Sequence, residues 1–558
     1  MFTLATMKMK IISIVLLIIA HASITQCTTA QPLHNKQSFT RQDSLRGSIT
    51  KERAWWDLLR YDITVTPDYN SRSIAGVNKI TFYDSGGYTM QIDLQQPMII
   101  DRAVFDSEEV KLKREGNVYW LFLRDSSKKY KIQPGVREIV LSFHGTPRPA
   151  VNPPWDGGWV WQKDQKGRPW MSVACQGLGA SVWYPCKDHQ ADEPQKGASI
   201  TINVPDSLVA VANGKLSSKN SSNGITAYTW EVVNPINNYT IIPYIGKYVN
   251  WTETYAGEKG NLNCSYWVLD YNLQPAKKQF NQVPQMLKAF EHWFGPFPFY
   301  EDDFKLIDAP YLGMEHQSAI AYGNKYLNGY LGSDLSGSGW GLKWDYIIVH
   351  ESGHEWFANN ITTKDIADMW VHEGFTTYSE TIFTEYHYGK EAGNAYLQGI
   401  RKNIQNEKPI IGPYRVNQSG SSDMYHKGAN LIHTIRQVIN DDEKFRSILR
   451  GMNKEFYHQT VTTRQVEQYI SGKSGKDLSK VFDQYLRTTQ IPVLELKRNK
   501  EKIEYRWTNC ISNFNMPVKL SNGRWIQPLT QWTKLKVDGN DFRNIDVDPN
   551  FYIKLKKS

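Results

Sequence analysis

The chain has 558 residues, too many for one ordinary hydrophobic core, so several domains are expected. Aromatic residues make up 13% and charged residues 22%, a composition that excludes a disordered chain. The formal charge of +9 is spread along the sequence without a lysine-arginine stripe, which argues against nucleic acid as a partner.

Residues 1–30 read as a secretory signal peptide: Lys8 and Lys10, the apolar run from Ile11 to Ala20, then small polar residues ending Thr28-Thr29-Ala30. The run is too short to span a bilayer, and no later stretch is long and apolar enough for a membrane helix. Export to a periplasmic or extracellular location is therefore expected, with no stable membrane span. Cys27 raises the rival idea of a lipoprotein anchor, but Gln26 stands where a small residue is wanted. Cys175, Cys186, Cys264 and Cys510 have no diagnostic spacing and are expected to be mostly buried thiols.

Residues 31–50 are polar and read as a loose lead-in. From 51 to 250 the pattern is strand after strand, as in Ile63-Thr64-Val65, Val77 to Phe82, Tyr119 to Leu123 and Ile139 to Phe143, punctuated by turn residues. Residues 251–490 open with a short mixed segment and turn helical from about Gln274, with strands at Phe304 to Ile307 and Ser318 to Tyr322. Helices are expected over 391–407, 425–440, 442–457, 464–471 and 478–486. Residues 491–558 return to period two, as in Val493 to Lys497 and Ile503 to Trp507, and read as a small β-sandwich.

The chemistry concentrates between Trp344 and Glu380. Ile347, Ile348, Trp356 and Phe357 fall near helical spacing, with Asp345 near the start where a carboxylate suits the dipole. One helical turn separates His350 from His354, so both imidazoles lie on one side and can reach one zinc ion. Glu351 stands beside that position, placed to take a proton from a water that zinc acidifies to a pKa of about 7. Eighteen residues separate His354 from Glu373, enough for the helix to end near Asn359-Asn360 and a second helix to return antiparallel with Glu373 as third ligand. Glu380, on the same face as Glu373, is expected to orient a ligand by hydrogen bond.

His350-Glu351-x-x-His354 with Glu373 at this spacing resembles the gluzincin metallopeptidases, specifically the aminopeptidase N family that also contains leukotriene hydrolase. Leu312-Gly313-Met314-Glu315-His316 is similar to the family's G-x-M-E-N motif. The resemblance makes Glu315 the anchor for a substrate's free α-amine and the Gly313-Met314 backbone a pairing edge for the peptide. Leu312 and His316 depart from that motif and leave the shape of the first subsite open. Ala174-Cys175-Gln176 followed by Trp183-Tyr184-Pro185-Cys186 resembles a family stretch whose glutamine or glutamate contacts the amine, here Gln176; Ser181 stands where an arginine is common. Asp423-Met424-Tyr425-His426-Lys427-Gly428-Ala429 is similar to a segment whose tyrosine, here Tyr425, donates to the oxyanion of the intermediate.

The resemblance implies a multidomain α+β chain. It would have an N-terminal β domain, a thermolysin-like catalytic domain and a small C-terminal β-sandwich, without the helical fourth domain of many members. An open cleft with no strong selection at the peptide's far end is expected with that. The implied activity is a zinc metallo-aminopeptidase with one Zn2+ per chain, acting on peptides with a free N-terminus. A zinc endopeptidase and a catalytically inactive peptide-binding protein remain as alternatives. An epoxide hydrolase side activity is disfavoured by Asn417, where leukotriene hydrolase has an aspartate.

Overall fold

The structure, a computed structural model, describes residues 38–125, 127–128, 133–499, 502–535 and 544–558. The leader, its cleavage point and Cys27 lie outside them. Long alternating segments form an eight-stranded sheet centred on Trp56–Asp68, which pairs antiparallel with Ser73–Asp84 and parallel with Ala198–Pro205. Trp56, Leu58, Tyr61, Ile63 and Val65 are buried, and they join one apolar core with the inward residues of neighbouring strands.

Three differences from the sequence reading concern local structure. The stretch expected to be loose forms a helix at Arg41–Gly47, started by a capping box between Thr40 and Asp43. This helix is tied down by buried Leu45 and by Arg46, which lies 3.1 Å from the Asp188 carboxylate. The short mixed segment is a long hairpin, Tyr248–Gly257 against Gly260–Leu269. The helix expected over 391–407 ends at Ile400, after which one 3-10 turn leads into irregular chain.

The hairpin belongs to a five-stranded sheet that continues through Phe304–Asp308 and Ile320–Tyr322 to the edge strand Gly313–Met314. Helices from Leu273 to Arg487 pack beside it around a second core, which runs on without a break into the C-terminal β part. That part holds a four-stranded and a two-stranded sheet. The Tyr485 hydroxyl donates to the Tyr552 carbonyl across the junction at 2.6 Å. Among the described residues no helix is long and apolar enough to cross a membrane, and all four described cysteines are unpaired, Cys510 being the half-buried one.

Candidate active site

The Tyr346–Gly353 helix starts where the Asp345 side chain accepts from the backbone of Ile347 and Ile348. It ends earlier than the sequence suggests. His354 is its cap, and Phe357 and Ala358 leave helical geometry (φ −127° and 149°). The break turns the Phe357 carbonyl back to within 3.0 Å of His354 Nδ1, so the break itself orients the imidazole. The next helix, Trp370–Tyr388, carries Glu373 in its first turn and Glu380 two turns later.

Three ligand atoms meet between these helices. Glu373 Oε2 lies 3.8 Å from His350 Nε2 and 3.4 Å from His354 Nε2. A tetrahedral zinc ion bound at about 2.05 Å would set its donors roughly 3.3 Å apart, so the trio fits zinc. Glu373 Oε2 is also buried without any hydrogen-bond partner, a costly arrangement that a cation would relieve. The far nitrogens are braced: His350 Nδ1 lies 2.7 Å from Glu380 Oε1, and the other Glu380 oxygen accepts from the Tyr396 hydroxyl at 2.6 Å. A second gathering of Glu315, Glu351 and His354 shares one imidazole with this trio.

The electrostatics favour a cation. Burial opposes ionisation of Glu373, yet the His354 and His350 imidazoles outweigh it and hold its carboxyl below the usual range. Burial pushes the Glu351 carboxyl up to about 7, against the pull of His350 and His354. A Cβ added at Gly313 would stand 2.8 Å from Glu351 Oε1, so the edge strand reaches the carboxylate only because this position is glycine.

Glu315, just past the edge strand, is buried (2% exposed). Its Oε1 accepts from Gln176 Nε2 at 2.6 Å and from the Tyr239 hydroxyl at 2.9 Å. The same Gln176 nitrogen lies 3.2 Å from Glu373 Oε1. The sequence reading had the amide oxygen facing the amine; in this structure the amide nitrogen faces the carboxylates. Tyr425 precedes the His426–Ile439 helix, which a close approach of Gly428 to Gly374 presses against the Glu373 helix. Burial, then the negative charge of Glu373, keeps the Tyr425 phenol protonated well beyond neutral pH.

His350, Glu351, His354, Glu373, Tyr425, Gln176, Gly313, Met314 and Glu315 line one cavity of 190 Å³; Glu380 sits behind His350. Two of the three departures from the family motifs have local explanations. His316 turns away from the cleft to the Tyr244 hydroxyl, at 2.5 Å, and burial drives its imidazole to about 3, hence neutral. Ser181 joins the backbone around it in holding Asp188, which also receives Arg46 from the N-terminal helix. Sequence reasoning missed Tyr239, Tyr346 and Tyr396. Tyr346, one turn before His350, stacks on its ring at 5.1 Å and was open to helical spacing; Tyr239 and Tyr396 carry no motif.

Residues 278–485 match the family model described as Peptidase family M1 domain. Leukotriene A-4 hydrolase of Xenopus laevis is 24% identical over 56% of this chain and 51% of its own length. Aminopeptidase M1 of Arabidopsis thaliana is 22% identical over 62% of this chain and 40% of its own. The chain thus spans about half the length of the curated relatives it matches. Among solved structures, an M1 zinc metallopeptidase from Deinococcus radiodurans with a bound Tyr-Ser-Ala substrate superposes with a TM-score of 0.66 at 19% identity. That match covers 79% of this chain and 96% of the other. The chain therefore carries a peptidase family M1 domain, at residues 278–485.

Proposed function

We propose that the protein is a zinc aminopeptidase that removes residues one at a time from the amino ends of peptides. The observation carrying this reading is the Gln176 amide lying between Glu315 and Glu373, which leaves one residue's length between an amine anchor and the ligand trio. His350, His354 and Glu373 would hold the zinc, which when bound supplies a Lewis acid that polarises a carbonyl and acidifies water. Glu315 takes the substrate ammonium as a charge-assisted partner, and Gln176 turns its amide so that the oxygen accepts one of the ammonium's protons. Glu351 accepts the proton of the attacking water and returns it to the leaving amine. Tyr425 donates its phenol proton to the oxyanion that develops on the scissile carbonyl. Glu380, steadied by Tyr396, fixes the His350 ring.

Peptide binding in the Deinococcus relative supports the substrate class. The test is hydrolysis of an aminoacyl fluorogenic substrate by chelator-treated protein. Activity should return with one equivalent of zinc, and a preparation that remains equally active after complete metal removal would refute the reading.

On the same footing we read 51–250, 251–490 and 491–558 as the N-terminal β, catalytic and β-sandwich units. Export is proposed as well, supported by the leader at residues 1–30. Mass spectrometry of the mature N-terminus would find Gln31 first; retention of Met1 on the working protein would refute it.

A further inference from the structure

The catalytic cavity does not end at Leu312. Beyond it opens a chamber of 690 Å³, and Trp155 and Leu312 line both spaces. Rings from two parts of the chain wall it: Trp155 and Trp170 from the N-terminal part, Tyr271, Tyr311, Tyr322 and Tyr326 from the part that carries the site. Their polar tips are largely committed elsewhere. The Tyr311 hydroxyl donates to the Val173 carbonyl at 2.9 Å, Tyr322 to Asp345 at 2.7 Å and Tyr326 to Asp308 at 2.5 Å. Trp170 Nε1 donates to the Tyr248 hydroxyl at 3.0 Å. Tyr311 and Tyr322 are themselves buried, so the ring surface left to meet a ligand is that of the half-buried Trp155, Trp170, Tyr271 and Tyr326.

The chamber's charge is unbalanced. Lys163 and Lys325 line it and are exposed, and neither side-chain ammonium has an ion pair or hydrogen bond among the described residues. The acids are occupied: Asp164 receives Arg168 at 2.6 Å, and Asp308 is buried and accepts from Tyr326, Asn272 and the Leu269 backbone. The chain also spends backbone strain here, since Lys325 and Tyr326 are consecutive non-glycine residues at φ 55° and 58°.

With the amine at Glu315 and the peptide running back along Met314 and Gly313, at about 3.3 Å per residue, its third and fourth residues reach Leu312 and Tyr311 at the chamber's entrance. We propose that this chamber binds the downstream end of short peptides, taking a bulky apolar third residue among the rings and the terminal carboxylate on Lys163 and Lys325. The assignment rests on the aminopeptidase reading. It replaces the expectation of no strong selection at the far end.

The test compares kcat/KM for zinc-loaded protein on the unblocked tetrapeptide Ala-Ala-Phe-Ala, its C-terminal amide and its Ala-Ala-Gly-Ala counterpart. Alanyl p-nitroanilide, too short to enter the chamber, is the control. The free acid should be cleaved at least tenfold more efficiently than the amide, and the phenylalanine peptide at least tenfold more efficiently than the glycine one. The Lys163→Glu/Lys325→Glu double variant should bring the acid-to-amide ratio to one or below while anilide turnover stays within twofold. Either wild-type ratio at unity, or an acid-to-amide ratio unmoved by the double variant, overturns the proposal. If neither the anilide nor any peptide is turned over, the aminopeptidase reading itself falls and takes the chamber with it.

Discussion

Gln176 donates its amide N–H to Glu315 Oε1 at 2.6 Å, joining the N-terminal β part to the edge strand of the peptidase domain across the cleft. Neither residue is held by its own element alone: Glu315 also accepts from Tyr239, and its carbonyl accepts from Asn359. The proposed amine anchor is therefore assembled by packing two parts of the chain together. Glu315→Gln, which preserves shape and removes the charge, should lower kcat/KM for free-amine substrates roughly 10- to 100-fold, the worth of a charge-assisted hydrogen bond. Gln176→Ala should act mainly on KM. Steady-state kinetics on one aminoacyl substrate checks both, and an unchanged Glu315→Gln enzyme would remove the anchor from the account.

Tyr425→Phe deletes one hydroxyl from a half-buried ring. The expected outcome is a kcat lowered about 10²- to 10³-fold with KM nearly unchanged, because an oxyanion donor acts in the transition state rather than in the bound substrate. Equal losses in binding and turnover would point to a packing role instead.

Glu380 and Tyr396 should matter through the metal. Tyr396→Phe frees one oxygen of Glu380, and Glu380→Gln loses the charge facing His350 Nδ1. Zinc affinity should fall about 10- to 100-fold in the glutamine variant, measured by competition with a chromophoric chelator. An affinity equal to that of the parent would show that the His350 ring needs no such support.

How much of this site was open to sequence reasoning depended on whether its geometry is local. His350, Glu351 and His354 share a helix, so spacing alone places them together; Glu373 and Glu380 follow on the returning helix, so one loop length suffices. Tyr239 is different: it belongs to a 3-10 turn of the N-terminal part and meets Glu315 only through tertiary packing. The break at Phe357 and Ala358 was equally hidden, because helical periodicity continues through Trp356 and Phe357 while the backbone does not. The Arg41–Gly47 helix was missed because its polar sequence carries a single buried apolar residue, Leu45, and its capping box is the signal that would have found it.

Glu193 gives a stability prediction away from the metal. Burial pushes its carboxyl up to about 7, with hydrogen bonds from Thr362 and Asn237 opposing that rise. The folded chain therefore holds a proton that the unfolded chain releases from about pH 4.5 upward. Stability drains away between there and about pH 7, then levels off. Glu193→Gln keeps an acceptor for Asn237 and removes the titration. Relative to the parent, its stability should improve from pH 4.5 to pH 7 by up to about 3 kcal/mol. Urea melts at pH 5 and pH 8 check this; parallel pH profiles for the two proteins would contradict it.

The most direct test of the central claim is a time course, by mass spectrometry, of a hexapeptide and its N-acetylated twin with zinc-loaded protein. The account predicts stepwise loss of single residues from the free amino end and no cleavage of the acetylated peptide. Internal cleavage, or equal turnover of the two, would contradict it.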